Sequence, residues 1–134
     1  MRMPEPDQTA LAKREAVVAR LRAIVPGEGV IADQDELRAY ECDGLSAYRA
    51  VPLAVVLPST TRQVSAILKL CDDERIKVVP RGAGTSLSGG ALPLTDGIVL
   101  GLGKFNRILE VDFENRCVVA QPGVTNLGIT DAVE

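Results

Sequence analysis

The sequence predicts an α/β start that passes into an α+β arrangement. Three observations carry this. Apolar runs at 53–57 and 76–79 flank an amphipathic helical pattern, which makes a compact βαβ unit. A glycine-rich stretch, 80–90, follows the second run directly. Residues 108–121 then alternate and fold back as a β-hairpin.

Residues 1–8 are polar and read as disordered. Over 9–25, Val18, Leu21 and Val25 recur at i, i+3 and i+7 with Val17 and Ile24 beside them, so the segment is helical until Pro26 and Gly27 end it. A short apolar piece at 30–32 leads to Asp33, an N-cap for a short helix over 35–40, and 41–51 reads as loop. The run 53–57, closed by Pro58, is a buried strand. Thr60 with Gln63 three residues later forms a capping box. The helix it opens runs to about Asp73 with Val64, Ile67, Leu68 and Cys71 on one face. The strand 76–79 completes the unit. A right-handed crossover makes the two strands parallel, and their near-continuous apolar character suits strands covered on both faces. After the glycine stretch, 98–102 is a further strand. Leu109, Val111 and Phe113 alternate with Glu110 and Asp112, predicting one buried and one wet face; Glu114 and Asn115 make a two-residue turn, and 116–121 returns as the partner strand. Pro122 and Gly123 break that strand, and Thr125 caps a helix still running at Glu134, without a Gly, Pro or basic stop. That ending predicts the N-terminal piece of a longer protein.

Composition narrows the function. The 134 residues include no histidine, which excludes a Ser-His-Asp triad, a Cys-His pair and any His-ligated metal site within the chain. Two Phe, two Tyr and no Trp are too few for a base-stacking platform, and a net charge of −3 leaves no basic footprint for nucleic acid. No run approaches the ~20 apolar residues of a transmembrane segment, and the polar N-terminus has no apolar signal core, so a cytoplasmic location is expected. Cys42, Cys71 and Cys117 form neither a disulfide framework nor a metal site. Cys71 and Cys117 are expected to be buried as small hydrophobes, and Cys42 lies in a loop beside Asp43.

The densest motif is Pro80-Arg81-Gly82-Ala83-Gly84-Thr85-Ser86-Leu87-Ser88-Gly89-Gly90. Glycines let consecutive N–H groups point into one concavity, a nest for phosphate oxygens. Thr85, Ser86 and Ser88 could add hydroxyl donors, and Arg81 supplies the only nearby charge. A GxGxxG fingerprint would need glycine where Leu87 stands, and a Walker A loop would need lysine where Gly90 stands. Against the bland alternative of a flexible surface loop stands its position after a βαβ strand, where α/β sheets bind ligands.

The stretch Val78-Val79-Pro80-Arg81-Gly82-Ala83-Gly84-Thr85-Ser86-Leu87-Ser88-Gly89-Gly90 closely resembles the FAD-diphosphate loop of FAD-linked oxidases of the vanillyl-alcohol oxidase type, with a PCMH-type FAD-binding domain. Tyr40-Glu41-Cys42-Asp43-Gly44-Leu45, Val55-Val56-Leu57-Pro58, Ala91-Leu92-Pro93, Lys104-Phe105-Asn106-Arg107-Ile108-Leu109 and Gln121-Pro122-Gly123-Val124 extend the resemblance. Together they point to the branch containing the FAD-linked subunits of bacterial glycolate oxidases.

The resemblance covers roughly 27–134 and implies residues 1–26 as an N-terminal helical segment. Residues 27–134 would then be the N-terminal part of the FAD-binding domain. A small parallel sheet would form its first subdomain and the hairpin would begin the second, with a cap domain beyond Glu134. It also implies flavin-binding positions: Pro58 at the strand end, Arg81, Gly82, Ala83, Gly84, Thr85, Ser86, Ser88, Gly89 and Gly90 in the diphosphate loop, Pro122, Gly123 and Val124 in a turn near the flavin, and Asn106 between subdomains. Each has a plainer reading. Asn106 serves equally as a turn or cap residue, Arg81 as an ion-paired structural residue, and Pro122 and Gly123 would end a strand in any fold. Tyr40 and Asp43 are read as packing and turn residues rather than substrate ligands.

The function so implied is oxidation of a 2-hydroxy acid, glycolate or D-lactate in type, to the 2-oxo acid with hydride passing to FAD. Family members that attach FAD covalently often use histidine, so non-covalent FAD is expected here. The resemblance places the substrate-binding and proton-accepting residues beyond Glu134, so no catalytic residue falls in this chain and the piece alone is expected to be inactive. Partner oxidase subunits, among them an iron-sulfur subunit, would tie the complex to the periphery of the inner membrane. A truncated domain would also expose apolar surface through which it can self-associate. The competing class is a non-catalytic phosphate- or nucleotide-binding or subunit-assembly module.

Overall fold

The computed structural model describes residues 3–134. Asp7 accepts from the Thr9 N–H and so caps α1 (Gln8–Ala12), and its own N–H donates to Asp96 across the fold. The expected disorder of 1–8 therefore does not extend to Asp7 and Gln8; Met1 and Arg2 lie outside the described residues. The single expected helix over 9–25 is two, α1 and α2 (Arg14–Ile24). No glycine or proline marks the break at Lys13, whose Nζ reaches the Glu74 backbone oxygen at 3.3 Å and its carboxylate at 3.1 Å. Next to it Arg14 donates to the carbonyls of Leu53 and Ala32, so the break aims two long side chains at different strands and helices.

After β1 (Val30–Ile31), Asp33 accepts from the N–H groups of Asp35 and Glu36 and caps α3 (Gln34–Leu37), which tightens into a 3₁₀ turn at Arg38–Tyr40. β2 (Ala54–Val56) leads to α4 (Thr61–Glu74). The capping box forms with one change: Thr60 Oγ1 accepts from the Gln63 N–H, but Gln63 Oε1 reaches back to the Ser59 N–H rather than to that of Thr60. The buried face of α4 is Ile67, Leu70 and Cys71, and Leu68 is 45% exposed. Its apolar stripe is centred one residue away from Leu68, toward Leu70, because α2 and the sheet meet the helix from that side.

β3 (Lys77–Arg81) and β4 (Gly97–Gly101) complete a four-stranded sheet in the order β1-β2-β4-β3, antiparallel at β1–β2 and parallel elsewhere. The two strands of the expected βαβ unit are parallel but not neighbours, because β4 inserts between them. β4 suits that central position because Gly97 to Gly101 carry no polar side chain, and all five are buried there. β3 runs two residues further than expected and takes in Pro80 and Arg81; proline is tolerated there because β3 is an edge strand. Side chains alternate across the sheet. Ala54, Val56, Ile98 and Leu100 pack with Leu21, Ile67 and Cys71 on the helical side. Val55 and Val99 pack on the other side with Leu37, Tyr40 and Val51.

The hairpin forms from β5 (Ile108–Asp112) and β6 (Cys117–Ala120) as a separate two-stranded sheet. The expected buried face is not buried: Leu109 is 58% and Phe113 69% exposed. A register shift between Ile108 and Glu110 takes Leu109 out of the alternation, and the ribbon is covered only in part, by α5 (Asn126–Val133). The turn is longer than two residues, since Asp112 pairs with Cys117, and its left-handed residue is Arg116 (φ 54°) rather than Asn115. Asn115 instead donates to Asp112 from its backbone and side chain, holding that carboxyl below its ordinary pKa. Cys71 is buried as expected, whereas Cys117 is exposed. Thr125 caps α5 by accepting from the Gly128 N–H.

Candidate functional site

The parallel strands end side by side. Val56, Leu100 and Pro80 are in register, and Gly101 lies opposite Arg81. Pro58 therefore leaves the sheet, fully buried, at the same edge as Leu102 and Gly82. This is the carboxyl edge, where open α/β sheets hold ligands. From it the chain must return to the opposite edge to enter β4. A parallel pair is ordinarily joined through a helix. Here residues 82–96 make the return without one: the glycine loop occupies the carboxyl edge, and Ala91, Leu92 and Pro93 carry the descent as buried residues.

The loop's backbone is irregular and open. Gly84 and Gly89 stand in the left-handed region, at φ 72° and 76°, which residues with a Cβ adopt only at a cost. The N–H groups of residues 82–87 have no acceptor among the described residues. No aspartate or glutamate occurs between Pro80 and Gly90. A Cβ on Gly82 would meet nothing within 4 Å, so the space beside the start of the loop is open. Thr85 and Ser88 are exposed. Ser86 Oγ accepts from the N–H groups of Ser88 and Gly90 at 3.3 Å each and shapes the second half of the loop. Its proton remains available to donate outward. Small residues, unpaired N–H donors and the absence of acid suit the diphosphate of a dinucleotide.

Arg81 does not project as a free charge. Its guanidinium donates to the carbonyls of Tyr40 (2.9 Å) and Cys42, and lies 5.8 Å from the Tyr40 ring centre. It is anchored structurally, by carbonyls rather than by an acid. Asp43, 6% exposed, accepts from the Leu45 N–H at 2.9 Å and from the Ala91 N–H at 3.3 Å. Tyr40 and Asp43 are thus packing and turn residues. That segment 40–45 underlies the glycine loop does not follow from residues about 40 positions away in sequence, which mark it only as a stretch shared with the resembling family and Asp43 as a turn residue.

Asn106, Gly123 and Val124 come together with Gly103, Ile108 and Thr125 around a cleft of about 430 Å³. Pro122 is exposed in the adjoining turn, tied down by the Gly123 N–H donating to the Phe105 carbonyl at 2.7 Å. None of residues 81–90 lines this cleft. The two groups are linked through residues 101–105, since the Leu102 N–H donates to the Arg81 carbonyl at 2.9 Å. Among the described residues no His, Cys, Asp or Glu cluster could hold a metal, and no helix is long and apolar enough to cross a membrane.

Fold and loop together define an α+β domain with an open glycine-rich loop at the carboxyl edge of a mixed sheet. The chain belongs to the FAD binding domain family FAD_binding_4, whose model matches residues 52–134, and it is related to FAD-binding oxidase subunits of the GlcD type. It is 51% identical over 120 residues to the glycolate oxidase subunit GlcD of Escherichia coli K12, covering 90% of this chain and 24% of that protein. It is 44% identical over 104 residues to a D-lactate dehydrogenase of Archaeoglobus fulgidus, covering 77% of this chain and 23% of that protein. The chain thus spans about a quarter of the length of these relatives. Among solved structures, 4-ethylphenol oxidase from Gulosibacter chungangensis matches with a TM-score of 0.79 at 24% identity, over 98% of this chain and 26% of that one. p-Cresol methylhydroxylase matches with a TM-score of 0.71 at 23% identity, over 98% and 26%. At those identities the likeness concerns the fold alone.

Proposed function

We propose that this chain is the diphosphate-holding part of an FAD-dependent oxidoreductase that converts a 2-hydroxy acid, glycolate or D-lactate in type, to the 2-oxo acid. The observation that carries the reading is the glycine loop, with two left-handed glycines and a row of unpaired N–H groups at the carboxyl edge of the sheet. The named substrates of the relatives, glycolate and D-lactate, share the 2-hydroxy acid group, as does that of a D-2-hydroxyglutarate dehydrogenase of Arabidopsis thaliana, 32% identical over 106 residues.

The N–H groups of 82–87 and the hydroxyls of Thr85, Ser86 and Ser88 would hold the diphosphate. Pro58 would close the strand edge, and Asn106, Pro122, Gly123 and Val124 would line the approach from the neighbouring cleft. When bound, FAD supplies the hydride acceptor, and the chain's contribution is binding and orientation. Without histidine to attach it, the chain would hold the cofactor non-covalently. The proposal places the substrate-binding and proton-accepting groups outside these residues. It also places the protein in the cytoplasm, meeting the inner membrane only through partner subunits that include an iron-sulfur protein.

The test substitutes Gly84→Asp and Gly89→Asp together in the intact oxidoreductase, because residues 1–134 alone are expected to bind FAD weakly or not at all, and measures flavin absorbance after purification and FAD titration. The expected result is a folded protein that has lost flavin, since the carboxylate at position 89 would stand against the diphosphate and the side chain at position 84 would displace the Arg81 guanidinium that supports the loop. Full flavin retention by the folded double variant overturns the loop assignment. In parallel, the unsubstituted protein should prefer FAD and ADP to inorganic phosphate; equal response to all three would favour a general anion site.

A further inference from the structure

We propose that segment 40–45 is a positioning platform for the phosphate-binding conformation of the glycine loop, with Asp43 and Gly44 as its positioning residues. The inference rests on the FAD reading for its ligand, but its geometry stands apart from it. The platform meets the loop at three places along its length. At the entry, Arg81 donates to the Tyr40 and Cys42 carbonyls. In the middle, a Cβ on Gly44 would fall 2.7 Å from the Thr85 carbonyl oxygen and 2.9 Å from that of Ser86, so the two backbones touch with no room for a side chain. At the exit, Asp43 accepts from the Ala91 N–H.

Asp43 is suited to this place by its two acceptor oxygens. One takes the Leu45 N–H and shapes the platform's own turn; the other takes the Ala91 N–H and ties the turn to the end of the loop. Asparagine has one acceptor and would turn an NH₂ toward one of these donors. The carboxylate is buried and makes no ion pair with any described residue, so its charge is held by backbone donors alone, an arrangement that costs free energy unless both bonds form. The N–H groups of 82–87 have no acceptor among the described residues, whereas the second half of the loop is held by Ser86 Oγ, by the Leu92 N–H donating to the Gly89 carbonyl and by this segment. The platform thereby lets a helix-free crossover hold one shape before any ligand arrives.

Two variants of the protein test this, Asp43→Asn and Gly44→Ala, read by peptide-resolved hydrogen–deuterium exchange without cofactor and by FAD titration. Exchange of the hydrogen-bonded amides in the peptide spanning 88–92 should accelerate about tenfold while peptides from β2, α4 and β4 keep their rates, and the Kd for FAD should rise about tenfold, the equivalent of one good hydrogen bond. Unchanged exchange over 88–92 in a folded variant overturns the proposal. So does faster exchange there with an unaltered Kd, or loss of protection throughout both variants, which would make the segment an ordinary part of the core. If the unsubstituted protein binds no FAD, the flavin reading fails, and the exchange comparison alone still decides whether the platform positions the loop.

Discussion

Alanine at the two left-handed glycines of the loop separates backbone strain from steric contact. Gly84 and Gly89 have nearly the same φ, 72° and 76°. An L-residue held there costs about 1 kcal/mol. At Gly89 the new Cβ has as its nearest neighbour Leu45 Cδ2 at 3.9 Å, an ordinary contact, so the cost ends there. At Gly84 the Cβ would stand 2.5 Å from Arg81 Nε and 2.6 Å from Nη2. The guanidinium has to move, and its hydrogen bonds to the Tyr40 and Cys42 carbonyls go with it. Two charge-assisted bonds at a half-buried site add roughly 2 kcal/mol. Gly84→Ala should therefore destabilise by about 3 kcal/mol and Gly89→Ala by about 1 kcal/mol. Urea unfolding followed by circular dichroism measures both as midpoint shifts at constant slope. Arg81→Lys should reproduce most of the difference, because lysine cannot fork to two carbonyls. Equal losses at the two glycines, or a silent Arg81→Lys, would refute the assignment of Arg81 as the strut beneath Gly84.

Asp96 is 2% exposed and accepts from Lys77 Nζ at 2.6 Å and from the Asp7 N–H at 2.8 Å. Burial alone would raise its pKa, but Lys77 and the Asp7 N–H outweigh it and hold the carboxyl below its ordinary range. Its stabilisation is thus complete above the unfolded value of about 3.9 and is lost as pH falls through the lower folded value, so thermal melts between pH 2 and 6 should show a slope that Asp96→Asn removes in part. Thiol labelling with iodoacetamide, read by mass spectrometry, should modify exposed Cys117 first, half-buried Cys42 next and Cys71 last, since burial pushes the Cys71 thiol from 9.0 up to about 11. Leu109→Lys and Phe113→Lys should each change unfolding free energy by less than about 0.5 kcal/mol; losses of about 3 kcal/mol, the scale of a core truncation, would show that the hairpin face is covered.

What could be read from the sequence was local chemistry. Asp33, Thr60 and Thr125 cap the helices expected of them, because a cap needs only a side-chain oxygen and N–H groups two or three residues on. The apolar runs at 53–57 and 98–102 are buried strands because both faces of the sheet are covered. What failed depends on partners remote in sequence. Nothing local tells that β4 slides between β2 and β3, that Lys13 breaks a helix in order to reach Glu74, or that Leu68 lies just outside the buried stripe. The hairpin shows the limit most clearly: perfect alternation at Leu109, Val111 and Phe113 predicts a buried face only if something packs there, and the register shift beside Leu109 spoils the alternation itself.

The glycine loop belongs to both categories, and that explains its construction. Its composition leads to the expectation of an anion site, but its conformation is set by topology. β3 and β4 are adjacent and parallel, so the chain must cross from one edge of the sheet to the other, and it does so over 82–96 without helical hydrogen bonds to stiffen the path. A crossover helix would satisfy its own N–H groups and present at most its first turn to a ligand. The open crossover instead leaves the N–H groups of 82–87 unpaired at the carboxyl edge, at the cost of internal rigidity. Rigidity therefore has to come from outside the loop. Arg81, Gly44 and Asp43 supply it from the face of the sheet opposite α4. On the proposed reading the loop's glycines let it bind, and Asp43 and Gly44, some forty residues earlier in the chain, join Arg81 in holding it to one shape.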